Sequence, residues 1–166
     1  MSIEPREHQE AALRQLAEND WTGIVPFKVG RGKTLLALWA ADRAGDLDGI
    51  TLIVAPLRTR DGWERSLPLV RPDLTLRVVQ SGAKGKKEWE ALRSGERGVY
   101  FMHWELFARW AERKQPGDRR TPPVIGGTEV DMLILDEVHR ACNHQRGNKT
   151  HSAVVRVARK HCLGLS

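Results

Sequence analysis

Near the start of the chain apolar residues recur at helical spacing, at Ala12, Leu13, Leu16 and Ala17, and Pro5 stands where a helix entry tolerates a missing N–H. The pattern predicts a short amphipathic helix over 5–19. The period then changes. Residues 22–27, Thr-Gly-Ile-Val-Pro-Phe, form a short β-prone run, a glycine-rich loop follows, and 34–41, Thr-Leu-Leu-Ala-Leu-Trp-Ala-Ala, is a strong helix former. Residues 50–54, Ile-Thr-Leu-Ile-Val, form a β-prone, largely apolar run without alternation, as expected of a strand covered on both faces in a parallel sheet. Further strands are predicted at 74–79, 98–103 and 130–135, and helices at 61–69, 86–93, 104–113 and 151–160. Strands and helices alternating at these lengths predict an α/β domain: a doubly wound, mostly parallel sheet with helices on both faces. Residues 114–128 carry Pro116, Gly117, Pro122, Pro123, Gly126 and Gly127, too many breakers for a regular element, and are expected to form a surface loop.

Composition narrows the class. A length of 166 residues suits one domain with one core, and 40% hydrophobic with 29% charged residues excludes wholesale disorder. Lys and Arg number 27 against 21 Asp and Glu, leaving a net charge of +6. That balance favours a polyanionic partner such as nucleic acid, and is also that of an ordinary basic surface. Two cysteines, Cys142 and Cys162, make no disulfide framework, and neither a basic-then-apolar leader nor an apolar run of about 18 residues is present. No membrane partner is expected, and the expected location is a reducing cytoplasm. Cys142, His144, His151, His161 and Cys162 fit no standard zinc-module spacing.

Candidate chemistry begins at 27–34, Phe-Lys-Val-Gly-Arg-Gly-Lys-Thr, between a predicted strand and a predicted helix. Its close, Gly32-Lys33-Thr34, matches the Gly-Lys-Ser/Thr end of a phosphate-binding loop, where glycines let backbone N–H groups wrap a phosphate without Cβ clashes. Gly30, Arg31 and Gly32 would line that loop, Lys33 would neutralise β- and γ-phosphate charge, and Thr34 would set its hydroxyl on Mg²⁺. Phe27 stands where the general pattern has Gly. Downstream, 130–135 runs straight into Asp136-Glu137-Val138-His139. A carboxylate at the carboxyl end of a buried parallel strand sits where α/β sheets bind ligands. Asp136 is therefore the second candidate Mg²⁺ ligand, and Glu137 the candidate that orients and deprotonates an attacking water.

Gly32-Lys33-Thr34 together with Asp136-Glu137-Val138-His139 resembles motifs I and II of superfamily 2 DNA helicases and translocases, DEAD/DEAH-like proteins of the Swi/Snf-like branch. Arg6-Glu7-His8-Gln9 resembles the family's Arg-x-x-Gln adenine motif, which implies Arg6 and Gln9 at the nucleotide, joined by His139. His8 stands where the family often has an aromatic residue. Leu52-Ile53-Val54-Ala55-Pro56-Leu57, with Trp63 and Glu64 following, is similar to motif Ia and implies Arg58 and Arg60 as nucleic-acid phosphate contacts, against plain solvated arginines. Phe101-Met102-His103-Trp104-Glu105 resembles the backbone-contacting strand end between motifs Ia and II, which implies Trp104 at nucleic acid, against a core tryptophan. Lys84, in Ser81-Gly82-Ala83-Lys84-Gly85-Lys86-Lys87, is a further phosphate candidate on what is otherwise a solvated loop. The six tryptophans offer stacking surfaces or helix-face packing.

The resemblance covers nearly the whole chain. It implies a RecA-like P-loop NTPase domain over 1–166, the first ATPase lobe, running to the start of motif III at Leu163-Gly164-Leu165-Ser166 with a second lobe absent. ATP and Mg²⁺ are the implied cofactors. The implied partners are DNA, single or double stranded, and a second RecA-like lobe in the same or a separate chain, as in a bacterium or a virus-infected cell. An arginine finger from such a lobe contributes about 10³–10⁵ in rate to related phosphoryl transfers, so weak hydrolysis is expected of one lobe alone. The alternative readings are a standalone, non-catalytic adaptor that binds nucleic acid or a protein through the same fold, and an unrelated P-loop kinase or GTPase.

Overall fold

The structure, a computed structural model, describes residues 3–27, 30–112, 129–141, 154, 157 and 159–166, with backbone alone at 84 and 109–112. In chain order the elements are α1 (Glu7–Glu18), β1 (Gly23–Val25), α2 (Lys33–Arg43), β2 (Ile50–Ala55), α3 (Arg60–Val70), β3 (Leu76–Val78), α4 (Lys86–Arg93), β4 (Gly98–His103), α5 (Trp104–Glu112), β5 (Val130–Asp136) and β6 (Arg159–Leu165). The strands form one six-stranded sheet in the order β1-β6-β5-β2-β4-β3, and every neighbouring pair is parallel.

Central β2 is buried at all six positions, which is why its sequence runs β-prone without alternating. Its side chains divide by the two-residue period of a strand. Ile53 and Ala55 join the core under α1, α2 and α3, with Leu13, Leu36, Trp63 and Leu67, while Leu52 and Val54 join the opposite core with Ala91 and Leu92 of α4 and Phe107 of α5. The same division separates Phe101 from Tyr100 and Ile134 from Leu133. Each fully buried Leu, Ile or Phe contributes about 1.5–3 kcal/mol, so both helical layers are needed to cover the sheet.

Two expectations need correction. Residues 159–160 belong to β6 rather than to a helix over 151–160; Arg159 pairs with Val130 because the buried run through Leu163 and Leu165 docks on β5 in a continuous parallel register. Most of 151–158 and all of 114–128 lie outside the described residues, as does residue 113 of the predicted helix 104–113. The strand predicted over 74–79 is shorter, Leu76–Val78, and pairs on one side only, with β4.

Register decides where chemistry can gather. Val25 and Asp136 both pair with Leu165, from opposite sides of β6. Val54 pairs with Leu135 and Ala55 with His103, so the ends of β5, β2 and β4 lie in one row. In a parallel sheet this row is the carboxyl edge, and the loops after β1, β2, β4 and β5 all leave from it. Two strand spacings, about 10 Å, separate the end of β1 from Asp136.

Candidate active site

After Val25 the chain passes Phe27, turns through Gly30 at φ +80° and Gly32 at φ +74°, and enters α2 at Lys33. Residues 28 and 29 lie outside the described residues. Left-handed backbone of this kind is cheap only for glycine. A Cβ at Gly30 would meet nothing within 4 Å, so the backbone there borders open space. Gly32 is the N-cap and supplies no capping side chain, and the first turn of α2 has no acidic residue. It carries Lys33 instead. A cation at the positive end of a helix, with first-turn N–H groups uncapped, is unfavourable until an anion joins it.

Gln9 ties α1 to this loop. It is 4% exposed; its Oε1 accepts the Arg6 N–H at 2.9 Å, and its Nε2 donates toward the carbonyls of Arg31 at 3.3 Å and Gly32 at 3.4 Å. A Cβ on Gly32 would come within 2.6 Å of Gln9 Nε2, so this glycine is required by close approach as well as by φ. Arg6 and Arg31 are exposed. Phe27, where the general pattern has Gly, packs on the core beneath α1, and its ring centroid lies 5.7 Å from that of exposed His8.

One strand beyond β6, Asp136 ends β5 at 8% exposure. Burial pushes its carboxyl above the ordinary carboxylate range, opposed in part by the Trp63 indole, by the Glu137 N–H and by the charge of Lys33. The Glu137 N–H donates to Asp136 Oδ1 at 3.0 Å, and Glu137 itself sits at φ +54°, left-handed backbone that a non-glycine residue adopts at a cost of about 1–3 kcal/mol. Trp63 Nε1 is buried and makes no hydrogen bond of ordinary geometry, yet the indole favours the ionised form of Asp136. Trp104 Nε1 donates to the Asp136 carbonyl at 2.9 Å. The two indoles reach this aspartate from opposite faces of the sheet. His139 is exposed in the 3₁₀ turn Val138–Arg140.

A glycine loop opening a helix, an Asp-Glu pair at a strand end with the aspartate buried, and a glutamine on the loop carbonyls now share one edge. The sequence profile of DEAD/DEAH box helicases matches residues 6–166, which takes in all three. This chain belongs to that family. Over 134 residues the helicase domain is 28% identical to the probable ATP-dependent DNA helicase CHR23 of Arabidopsis thaliana, covering 78% of this chain and 12% of the plant protein. It shares its fold with the Sulfolobus solfataricus SWI2/SNF2 ATPase core solved in complex with dsDNA, at a TM-score of 0.74 and 18% identity, over 100% of this chain and 32% of that one. The Sulfolobus solfataricus SWI2/SNF2 ATPase core domain gives a TM-score of 0.62 at 18% identity, over 99% and 32%. The chain is thus a DEAD/DEAH box helicase domain with a RecA-like fold, and it spans a minor part of the length of these relatives.

Not every expected nucleic-acid residue of the helicase domain reaches its surface. Trp104 is 2% exposed, with its ring edge-on to Phe107 and its N–H committed to Asp136, so the expectation of a nucleic-acid contact is corrected to a core residue that holds the end of β5. Arg58 is exposed and pairs with Glu137 at 2.6 Å. Arg60 pairs with its neighbour Asp61 at 2.9 Å. The Lys84 side chain lies outside the described residues. Away from this edge His161 is buried against Asp46 at 2.6 Å, and no group of three metal-ligating side chains occurs among the described residues; Cys142, His144 and His151 lie outside them. Among the described residues no helix is long and apolar enough to cross a membrane.

Proposed function

We propose that this chain is the first ATPase lobe of a Swi/Snf-like DNA translocase or helicase, which binds Mg-ATP at the loop of Gly30 to Thr34 and a nucleic-acid backbone across the same carboxyl edge. The observation that carries the proposal is the uncapped N-terminus of α2, bearing Lys33 and facing no carboxylate of its own first turn, set in one sheet edge with buried Asp136. The donor set suits the group. Thr34 hydroxyl and Asp136 carboxylate are hard oxygen ligands of the kind Mg²⁺ takes, and a cation beside Asp136 would offset the cost of its burial. Bound there, Mg²⁺ would neutralise charge developing on the phosphate oxygens.

The protein's own residues do the rest. Loop N–H groups and Lys33 hold the phosphates, Gln9 and Arg6 flank the base, and Glu137 takes the proton of the attacking water. A second RecA-like lobe, in this or another chain, would add the cationic groups that make hydrolysis fast. DNA is the proposed track because a Swi2/Snf2 structural neighbour was solved with dsDNA and the chain carries +6.

Nucleotide affinity tests the proposal. The wild type should bind Mg-ATP, with Lys33→Ala weakening it at least tenfold; equal binding, or none in either, would end the reading. Adding a second-lobe polypeptide together with duplex DNA should then raise hydrolysis well above the single-lobe rate.

A further inference from the structure

The carboxylate that must accept a proton is held on both oxygens. Glu137 Oε1 accepts Arg58 Nη2 at 2.6 Å, and Glu137 Oε2 lies 3.4 Å from Arg140 Nε. Arg140 Nη1 lies 3.4 Å from Glu105 Oε1, and Glu105 Oε2 lies 3.0 Å from His103 Nδ1. A line of ion pairs therefore joins the turn after β2, through Glu137 and Arg140, to Glu105, which in turn contacts the His103 ring at the end of β4. A water placed against Glu137 must share its oxygens with two guanidinium groups, one of them bonded to Oε1, and a general base must lie within hydrogen-bond reach of the proton it removes.

We propose that Arg58 is a positioning residue with two mutually exclusive partners: the Glu137 carboxylate when no strand is bound, and a nucleic-acid backbone phosphate when one is, so that strand binding releases Glu137. Arg58 sits in the short 3₁₀ turn Leu57–Thr59 with its side chain 73% exposed, whereas Glu137 is 24% exposed and fixed by its backbone. The mobile partner is thus the arginine. A guanidinium fork fits phosphate as well as carboxylate, and an exposed ion pair is weak and screened by salt, so a polyanion laid along this edge can compete for it. Arg60 is part of α3 next to that turn and pairs with adjacent, exposed Asp61, within reach of the same strand. Linkage makes the exchange reciprocal: whatever weakens the grip on Glu137 must strengthen the grip on phosphate.

The inference rests on the reading of this chain as a nucleic-acid-binding ATPase lobe, and it is tested without hydrolysis. Affinity of the full chain for a short fluorescein-labelled DNA duplex, in low salt and without nucleotide, is measured for wild type, Arg58→Gln, Glu137→Gln and the double variant. Glu137→Gln should bind about two- to fivefold tighter, the range that exposed ion pairs command. Arg58→Gln should bind more weakly and lower the slope of log affinity against log salt by about one phosphate contact. The double variant should bind no tighter than Arg58→Gln, and Arg58→Lys should restore the slope. A Glu137→Gln gain that persists in full without Arg58 would overturn the exchange, because it would show only the loss of a nearby negative charge. An unchanged slope in Arg58→Gln would overturn it as well. DNA binding by none of the proteins, with Lys33-dependent ATP binding intact, would end this inference while sparing the nucleotide site; loss of both would end both.

Discussion

Replacing Trp104 by Phe keeps the ring in its place and deletes one donor, the indole N–H on the Asp136 carbonyl. Leaving that buried acceptor unpaired should cost about 1–3 kcal/mol in urea unfolding, with the m-value unchanged. Asp136 should behave in the opposite sense. Its folded-state carboxyl is raised above the ordinary 3.8, so the stability linked to it is complete below that value and is lost as pH climbs through the raised one. At neutral pH the ionised group works against the fold. Asp136→Asn should therefore raise the thermal midpoint of the nucleotide-free protein, each 1 kcal/mol reading as about 2–4 °C, while abolishing Mg-dependent nucleotide binding. Gly32→Ala meets both a left-handed backbone and Gln9 Nε2; it should lose about 1–2 kcal/mol and most nucleotide affinity, seen in the same melt and in titration. These glycines and carboxylates are legible from sequence because backbone conformation and charge dictate residue type. Trp104 is not, since a tryptophan after a strand reads the same whether it stacks on a base or fills a core. Nor is the hold of Arg58 on Glu137, which joins residues 79 positions apart.

Among the elements, β2 carries the sheet. Ile53→Ala at its centre should cost about 2–5 kcal/mol in equilibrium unfolding, whereas truncating Leu69, 41% exposed on α3, should change stability by less than about 0.5 kcal/mol. α1 is a different case, because Gln9 joins its first turn to the glycine loop that opens α2. The hydrophobic pattern locates β2, β4 and β5 well, since strands covered on both faces need uninterrupted runs of β-prone residues. It misplaces the start of β6, where Arg159 and Lys160 read as helix surface, and it overextends β3. A strand that pairs on one side only needs fewer apolar positions, and its ends are decided by the partner rather than by its own side chains.

At the scale of the molecule, the parallel sheet sends every loop of interest off one edge, so occupancy and stability are coupled. Mg-ATP at a hundredfold excess over its Kd should add about 2.7 kcal/mol to unfolding, a midpoint rise of several degrees that Lys33→Ala should cut by about half or more at the same concentration. The order of strands was only partly legible, because the composition of β6 does not reveal that it slots between β1 and β5. The two indoles at Asp136 carry an optical consequence. Trp63 and Trp104 approach the same aspartate from the two cores, each shielded from water. A charge arriving at that carboxylate alters the electric field across both chromophores at once, and the polar solvent that would blur the response is kept out. The intrinsic ultraviolet emission of the unlabelled protein should therefore shift on site filling, and the Trp63→Phe and Trp104→Phe variants would divide the signal between the two sides of the sheet.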